Sequence, residues 1–207
     1  MKINLQNNLS FQKTLVAKTK FKNNTKSNKP QSCKIYVLDD IEDMYYISKL
    51  AGKTEWKNAN FLFSFRKDLA SCISPFTRNA VYVMEMGEKN ECIALAEVNQ
   101  ESSDLKVVLL ETSPKYKKSL KSNKNNKREI SYIGETFLAF FAKLAKKNNI
   151  DEINLTSVPS AIRFYVDKCG FSPCEKGDIR VFLPKFKYDE LIKQNKKHTG
   201  GKINFNC

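Results

Sequence analysis

The chain has one histidine, His198, and one tryptophan, Trp56, in 207 residues. Its six cysteines, at 33, 72, 92, 169, 174 and 207, include no CxxC pair. Scattered thiols without histidine partners argue against a zinc site or any other metal, and for reduced cysteines in a cytoplasmic protein. Acid–base catalysis by histidine is disfavoured too: His198 sits in KKHTGGK, a solvated-tail composition, and is given no functional role. No apolar run approaches the roughly 18–20 residues of a membrane span, and MKINLQNNLSFQK lacks the apolar centre of a secretory signal. Arginine is confined to Arg66, Arg78, Arg128, Arg163 and Arg180. That is few for bidentate phosphate recognition.

What the chain does have is lysine. Its formal net charge is +14. The excess sits in residues 1–34 and in the loop SPKYKKSLKSNKNNKR (113–128), both free of acids, and the remainder is close to neutral. A basic arm and a basic loop make nucleic acid the alternative partner, while the Lys/Asn bias of the whole chain argues for composition rather than a binding surface.

Residues 1–33 are Lys/Asn/Ser/Thr-rich with isolated apolar positions, which predicts a disordered or loosely docked arm. From residue 34 the pattern becomes regular. KIYVLD (34–39) reads as a strand and DDIEDMYYISKLAG (39–52) as a helix with acids in its first turn. FLFSFRKDLASCI (61–73) reads as a second helix by the spacing of Phe61, Phe65, Leu69 and Cys72, although its aromatic content also suits a strand. Three strands follow, AVYVMEMG (80–87), ECIALAEVNQ (91–100) and DLKVVLLETS (104–113), separated by short turns as in an antiparallel meander. The last is apolar on both faces, as a doubly covered central strand is.

After the lysine loop, YIGETFLAFFAKLAKKNN (132–149) is a helix whose Ile133, Phe137, Leu138, Phe141, Leu144 and Ala145 form one stripe. INLTSV (153–158) reads as a strand and PSAIRFYVDKC (159–169) as a helix, with Pro159 in its first turn and Gly170 as a left-handed cap. IRVFLPKF (179–186) is the last strand, before a Lys-rich tail over 189–207. The order is β-α-α-β-β-β-α-β-α-β in one α+β domain over 34–188, a mixed, mostly antiparallel sheet with helices on both faces.

A strand that leads through a basic loop into a helix beginning YIGET offers free first-turn amides at the positive end of a dipole, a ready anion site. There Gly134 would let a ligand approach the backbone, and Thr136 could add a hydroxyl donor. The stretch from LLETSPKY through YIGETFLAFFAKLAKKNNIDEINL to SAIRFYVDKCGF resembles the GNAT superfamily of N-acetyltransferases. Ala161, Phe164, Tyr165, Gly170 and Phe171 fall on the family's closing A-x-x-F-Y-x-x-x-G-F pattern. The family's acetyl-CoA loop, [QR]-x-x-G-x-[GA], aligns with Glu129 to Gly134. Of its glycines only Gly134 is kept, Tyr132 taking the middle position and Glu129 the first.

The resemblance implies an enzyme of the N-acetyltransferase class, with acetyl-CoA as acyl-donor substrate and direct transfer to a primary amine in a ternary complex. The central strand would splay from its parallel neighbour, and the pantetheine arm would pair with backbone near Leu110 and Thr112. Arg128, Tyr132, Ile133, Gly134, Glu135 and Thr136 would surround the pyrophosphate. Tyr165, a phenol of ordinary pKa near 10, would protonate the departing thiolate, its alternative being a core tyrosine. Glu111, or Glu97 on the neighbouring strand, would be the general base. Cys169, in a helix interior and without a histidine, reads as packing. Trp56 and Glu175 are candidates for the acceptor pocket or for plain surface. The other readings are a non-catalytic GNAT-fold binding protein, and an RNA- or ribosome-associated acetyltransferase using the arm and loop. A monomer and a homodimer both fit.

Overall fold

The computed structural model describes residues 13–22, 30–38, 56, 79–88, 90–101, 103–116 and 131–206. The helices expected over 39–52 and 61–73, the lysine loop beyond residue 116, and Arg128 with it, lie outside the described residues.

Runs rich in β-branched and aromatic residues become strands, as their fit to a pleated surface dictates. These are β1 (Thr14–Phe21), β2 (Gln31–Leu38), β3 (Asn79–Met86), β4 (Glu91–Glu101), β5 (Asp104–Thr112), β6 (Glu152–Thr156), β7 (Ser172–Pro173), β8 (Arg180–Pro184) and β9 (Asn204–Phe205). Among the described residues two α-helices accompany them, α1 (Ile133–Lys147) and α2 (Tyr188–Thr199). All belong to one sheet ordered β7-β8-β6-β5-β4-β3-β2-β1-β9. Only β5 and β6 run parallel; the other neighbours are antiparallel. The mixed, mostly antiparallel sheet expected from the sequence is therefore present.

Two expectations need correction, one at each end of the chain. Residues 14–21 are not part of a loose arm. They form β1, paired with β2 from Thr14↔Val37 to Phe21↔Gln31, with Ala17, Thr19 and Phe21 buried. Lys18, Lys20 and Lys22 alternate with these and are exposed. Their charge is the outward face of a strand near the sheet edge, where lysines discourage strand addition. Lys13 just ahead of β1 pairs with Glu85 on β3, whose side chain is fully buried.

Nor is 189–207 a solvated tail. The residues YDELIKQNKKHT form α2, with Asp189 and Glu190 in the first turn, lysines in the last, and Gly200 in the left-handed conformation beyond it. This is the charge order a helix dipole favours. After α2 the chain reaches the far side of the sheet, where β9 pairs with β1 (Ala17↔Phe205, Lys18↔Asn204). The C-terminal segment is thus a strap. It leaves the sheet at β8, crosses α1 and returns to the sheet at β1.

The strap explains α1. The sequence suggests one apolar stripe, yet Ala139, Phe140 and Ala142 are as fully buried as Phe137, Leu138 and Phe141. An α-helix apolar all round requires cover all round. Here the sheet supplies one side, with Tyr82 of β3 edge-on to Phe140 and Phe141 at 5.4 Å. The strap supplies the other: Leu191 of α2 is in the same core, and Phe205 of β9 meets Phe140 at 5.8 Å. By contrast, the central strand is not covered along both faces, since Lys106 and Val108 of β5 are exposed.

The segment 159–169 also differs from expectation. In place of one α-helix it forms a 3-10 turn (Pro159–Ala161) and a π turn (Phe164–Lys168). The wider turn accommodates two adjacent aromatic rings packed against the core, and Gly170, at φ 76°, lets the Phe171 amide fold back to the Tyr165 carbonyl at 3.1 Å.

Gly201 tests the strap. A Cβ there would stand 2.2 Å from the Lys20 carbonyl oxygen and 2.8 Å from the Lys20 nitrogen, so backbone would have to move. Gly201→Ala is expected to destabilise the fold by about 1–3 kcal/mol, read as a lower urea midpoint; an unchanged midpoint would mean that the strap does not hold β1.

Candidate functional site

Strand β5 pairs with β6 only from Asp104↔Glu152 to Val107↔Leu155. Beyond that, β5 stays with β4 as far as Ala94↔Thr112, while β6 stays with β8 through Thr156↔Arg180 and the Ser157 amide to the Ile179 carbonyl at 2.8 Å. The two halves of the sheet diverge. The divergence starts at a β-bulge: Val98 faces Val107 and Glu97 faces Leu109, which leaves Val108 as the extra residue on β5. A bulge bends and twists its strand. From Val108 to Thr112, alternate backbone groups of β5 point away from β4 into the opening. Leu110 and Thr112, both half-buried, lie on this stretch, and Glu111 lies between them, 9% exposed and opposite Leu95.

Across the opening, the chain leaving β6 carries Phe164 and Tyr165. Tyr165 packs between Phe164 (5.1 Å) and Phe171 (5.9 Å), edge to face in both cases. Burial, with a smaller contribution from Cys169, pushes its phenol up to about 12. This is a phenol that keeps its proton throughout the physiological range. Cys169 itself is 2% exposed, and burial together with Glu135 pushes its thiol well above the ordinary range, as befits packing and not a nucleophile.

Helix α1 starts against this turn. A Cβ on Gly134 would sit 3.2 Å from the Phe164 ring, so glycine fits there without displacing the ring by a few tenths of an ångström. The first-turn amides of α1, from Ile133 onward, have no intrahelical acceptor. Tyr132 ahead of them is half-exposed and holds φ 68°, ψ 21°. Among the described residues the other non-glycines at positive φ are asparagines, Asn90 and Asn149. For a bulky side chain this is a strained backbone.

Two assigned residues have different work. Thr136 does not offer a hydroxyl to a ligand: it is fully buried, donates to the Tyr132 carbonyl at 2.9 Å and accepts from Asn195 Nδ2 at 2.9 Å. Glu135, 2% exposed, turns toward α2. His198 Nδ1 lies 3.0 Å from both of its oxygens, Gln194 Nε2 at 3.3 Å and Asn195 Nδ2 at 3.4 Å. A carboxylate only accepts, so Nδ1 carries the hydrogen. The imidazole stacks on Tyr132 with centroids 4.5 Å apart and planes inclined by 20°. His198, read as a tail residue from its sequence neighbours, is built into the start of α1. Its signal was indirect, in the helix-like charge order of 188–199 and the all-round apolar surface of α1. An open cavity of about 430 Å³ between α2 and the π turn is lined by Asp167, Lys168, Lys193, Lys197 and His198 among others. It takes in neither Tyr165 nor Glu111. Trp56 is buried, and Glu175 is exposed.

No protein-family model matches the chain, and no curated protein matches it by sequence. Solved structures do match. A protein of Exiguobacterium sp. 255-15 assigned as an acetyltransferase superposes over 76% of this chain and 97% of its own, with a TM-score of 0.52 at 17% identity. The chain has the GNAT acetyltransferase fold. The spermidine/spermine N-acetyltransferase SpeG of Vibrio cholerae covers 76% of this chain and 98% of its own, at TM-score 0.47 and 15% identity. The PaiA N-acetyltransferase of Thermoplasma acidophilum, solved with coenzyme A, covers 72% and 98%, at TM-score 0.43 and 17% identity. Within the GNAT fold seen here no described helix is long and apolar enough to cross a membrane.

The shifted phenol gives a measurable consequence. Between pH 10 and 12 the folded chain keeps a Tyr165 proton that the unfolded chain has lost, so stability falls as pH rises through that window. Tyr82 and Tyr116 are shifted the same way by burial. Tyr165→Phe should flatten the fall by up to about 2 kcal/mol, measured as urea midpoints from pH 9 to 11.5. An unchanged slope would show the hydroxyl to be solvated.

Proposed function

We propose that the chain is an acyltransferase that takes acetyl-CoA as its acyl-donor substrate and passes the acetyl group directly to a primary amine. The observation that carries this reading is the opening between β5 and β6, with Tyr165 on the segment that leaves β6 and the first turn of α1 touching that segment at Gly134. In this reading the backbone groups of β5 around Leu110 and Thr112 pair with the amides of a pantetheine arm, and the amides of Ile133 to Glu135 meet its pyrophosphate.

In the step proposed, the amine nitrogen attacks the thioester carbonyl, and a strand N–H of β5 stabilises the oxyanion. The carbon–sulfur bond then breaks. The thiolate takes the Tyr165 proton, and the proton released by the nitrogen goes to a carboxylate, for which Glu111 on the splayed part of β5 is the candidate. Burial raises this phenol to about 12, which keeps it fully protonated at neutral pH and also makes it a weaker donor, so the transfer is driven by the thiolate charge that develops beside it. No acyl-cysteine is required, and buried Cys169 is unsuited to forming one.

A second reading, a binding protein on the GNAT fold without turnover, is favoured by Glu135. Its carboxylate already occupies the first turn of α1, where the dipole would otherwise favour an incoming anion. In the RNA-associated variant, residues 14–21 of the arm would act from strand β1 and not from a loose segment.

Two measurements decide between these readings. Acetyl-CoA at 100 times its Kd is expected to stabilise the fold by about 2.7 kcal/mol, read as a rise in Tm. No shift at millimolar acetyl-CoA would remove the enzyme reading. Tyr165→Phe is expected to lower turnover roughly 100-fold or more with acetyl-CoA affinity unchanged, and full turnover in that variant would return Tyr165 to the core.

A further inference from the structure

We propose that His198, on the C-terminal helix, is a positioning residue for the acyl-donor site: anchored by Glu135, it holds Tyr132 in the left-handed conformation that shapes the start of α1. The inference rests on the acyl-donor reading above, in that the donor's phosphates are what those amides would hold.

A residue in the left-handed region followed by right-handed helix turns successive amide N–H groups toward one side, which makes an anion-binding concavity. Glycine adopts that conformation freely; a tyrosine does so only where its surroundings over-determine it. Tyr132, at φ 68°, is supported from α2 in two ways, one direct and one through Thr136 of α1. One is the ring stack, His198 lying 4.5 Å away and nearly parallel. The other is a relay, in which Asn195 donates to Thr136 Oγ1 and Thr136 donates to the Tyr132 carbonyl, each at 2.9 Å.

His198 is in turn fixed. Its Nδ1–H is shared between the two Glu135 oxygens at 3.0 Å, so the ring cannot rotate without leaving a buried carboxylate underpaired. Gln194, one helical turn before His198, binds both Glu135 and the Lys168 carbonyl at the end of the Tyr165 turn. Helix α2 therefore grips the two elements that carry the proposed site, the first turn of α1 and the turn bearing Tyr165. Tyr132 thus holds a backbone conformation that suits glycine, and part of its support is tertiary.

A double-mutant cycle in the full chain tests this, with acetyl-CoA binding followed by calorimetry. His198→Gln removes the stacking ring and leaves an amide able to donate to Glu135, so the fold should survive. It is expected to raise the acetyl-CoA Kd roughly tenfold, equivalent to about 1.4 kcal/mol, and to raise KM for acetyl-CoA with kcat changed less than twofold. In a Tyr132→Gly background the same His198 change should move Kd less than twofold, since glycine needs no ring to hold it. The single histidine also gives a separate readout. Its ring protons should sit upfield under the Tyr132 ring current, and Tyr132→Leu should return them to ordinary positions. A tenfold effect of His198→Gln that persists in the glycine background would overturn the proposal. So would an unchanged Kd, or histidine resonances indifferent to Tyr132. Failure of the wild-type chain to bind acetyl-CoA, with the upfield shift present, would remove the donor reading and with it the role given to His198, leaving the stack as a structural contact.

Discussion

Glu135 puts a carboxylate in the first turn of α1 at 2% exposure, and the whole C-terminal strap is arranged around that fact. Removing such a group from water costs several kcal/mol unless it is paired. The helix dipole offsets part of that cost, because an acid in the first turn faces the positive end. The rest falls to α2, which brings His198, Gln194 and Asn195 to the two oxygens. By comparison the ion pair between Lys146 and Asp189, 2.6 Å long but exposed on both sides, does little beyond fixing the start of α2. The buried cluster sets where α2 ends. Gly200 and Gly201 then set the path by which the chain leaves it for β1.

The opening between β5 and β6 has an independent cause. A parallel pair flanked by antiparallel neighbours would ordinarily remain paired along its length. The bulge at Val108 ends that, since one extra residue on β5 turns the strand with β4 while β6 follows β8. A gap in the middle of a sheet leaves backbone groups that must find partners. In the proposed reading a substrate carrying amides answers that requirement; otherwise water does. Leu110 and Thr112 enter here through their backbone groups alone. Glu111, on the same stretch, is placed by the strand but not given its role by it.

How much was legible in the sequence depended on whether the governing contact was local. The strands from 79 to 112, α1 and β8 follow from period and turn chemistry, and the structure moves their ends by a residue or two. Gly170 as a left-handed cap is likewise a local property. Two readings failed for one reason. Residues 14–21 carry too little apolar pattern to announce a strand alone, and become one because β2 and β9 flank them. YDELIKQNKKHT has low hydropathy and reads as a tail, yet Tyr188, Leu191, Asn195 and Thr199 are buried, at three- and four-residue spacing along one face. A long-range partner supplied what composition could not. Around the proposed site, the contact between Gly134 and the Phe164–Tyr165 turn joins two short segments whose local patterns the sequence shows. His198 was not: its role lies in a contact with Glu135, 63 residues away. The clue was the breadth of apolar surface on TFLAFFAKLA, which is more than a sheet alone can cover.

That division has a consequence for the site itself. A phosphate-holding turn made of glycines is correct from the moment its own backbone forms. Here Tyr132 carries strain of about 1–3 kcal/mol, and the contacts that offset it come from a helix near the other end of the sequence. The turn is therefore complete only when the strap is docked, and the strap is docked only when both ends of the sheet, β8 and β1, are in place. Linkage makes the coupling reciprocal: whatever binds the turn in its left-handed form stabilises the strap by the amount the strap contributes to binding. A chain built this way ties its proposed donor site to the integrity of its full-length fold, which a local glycine loop would not do.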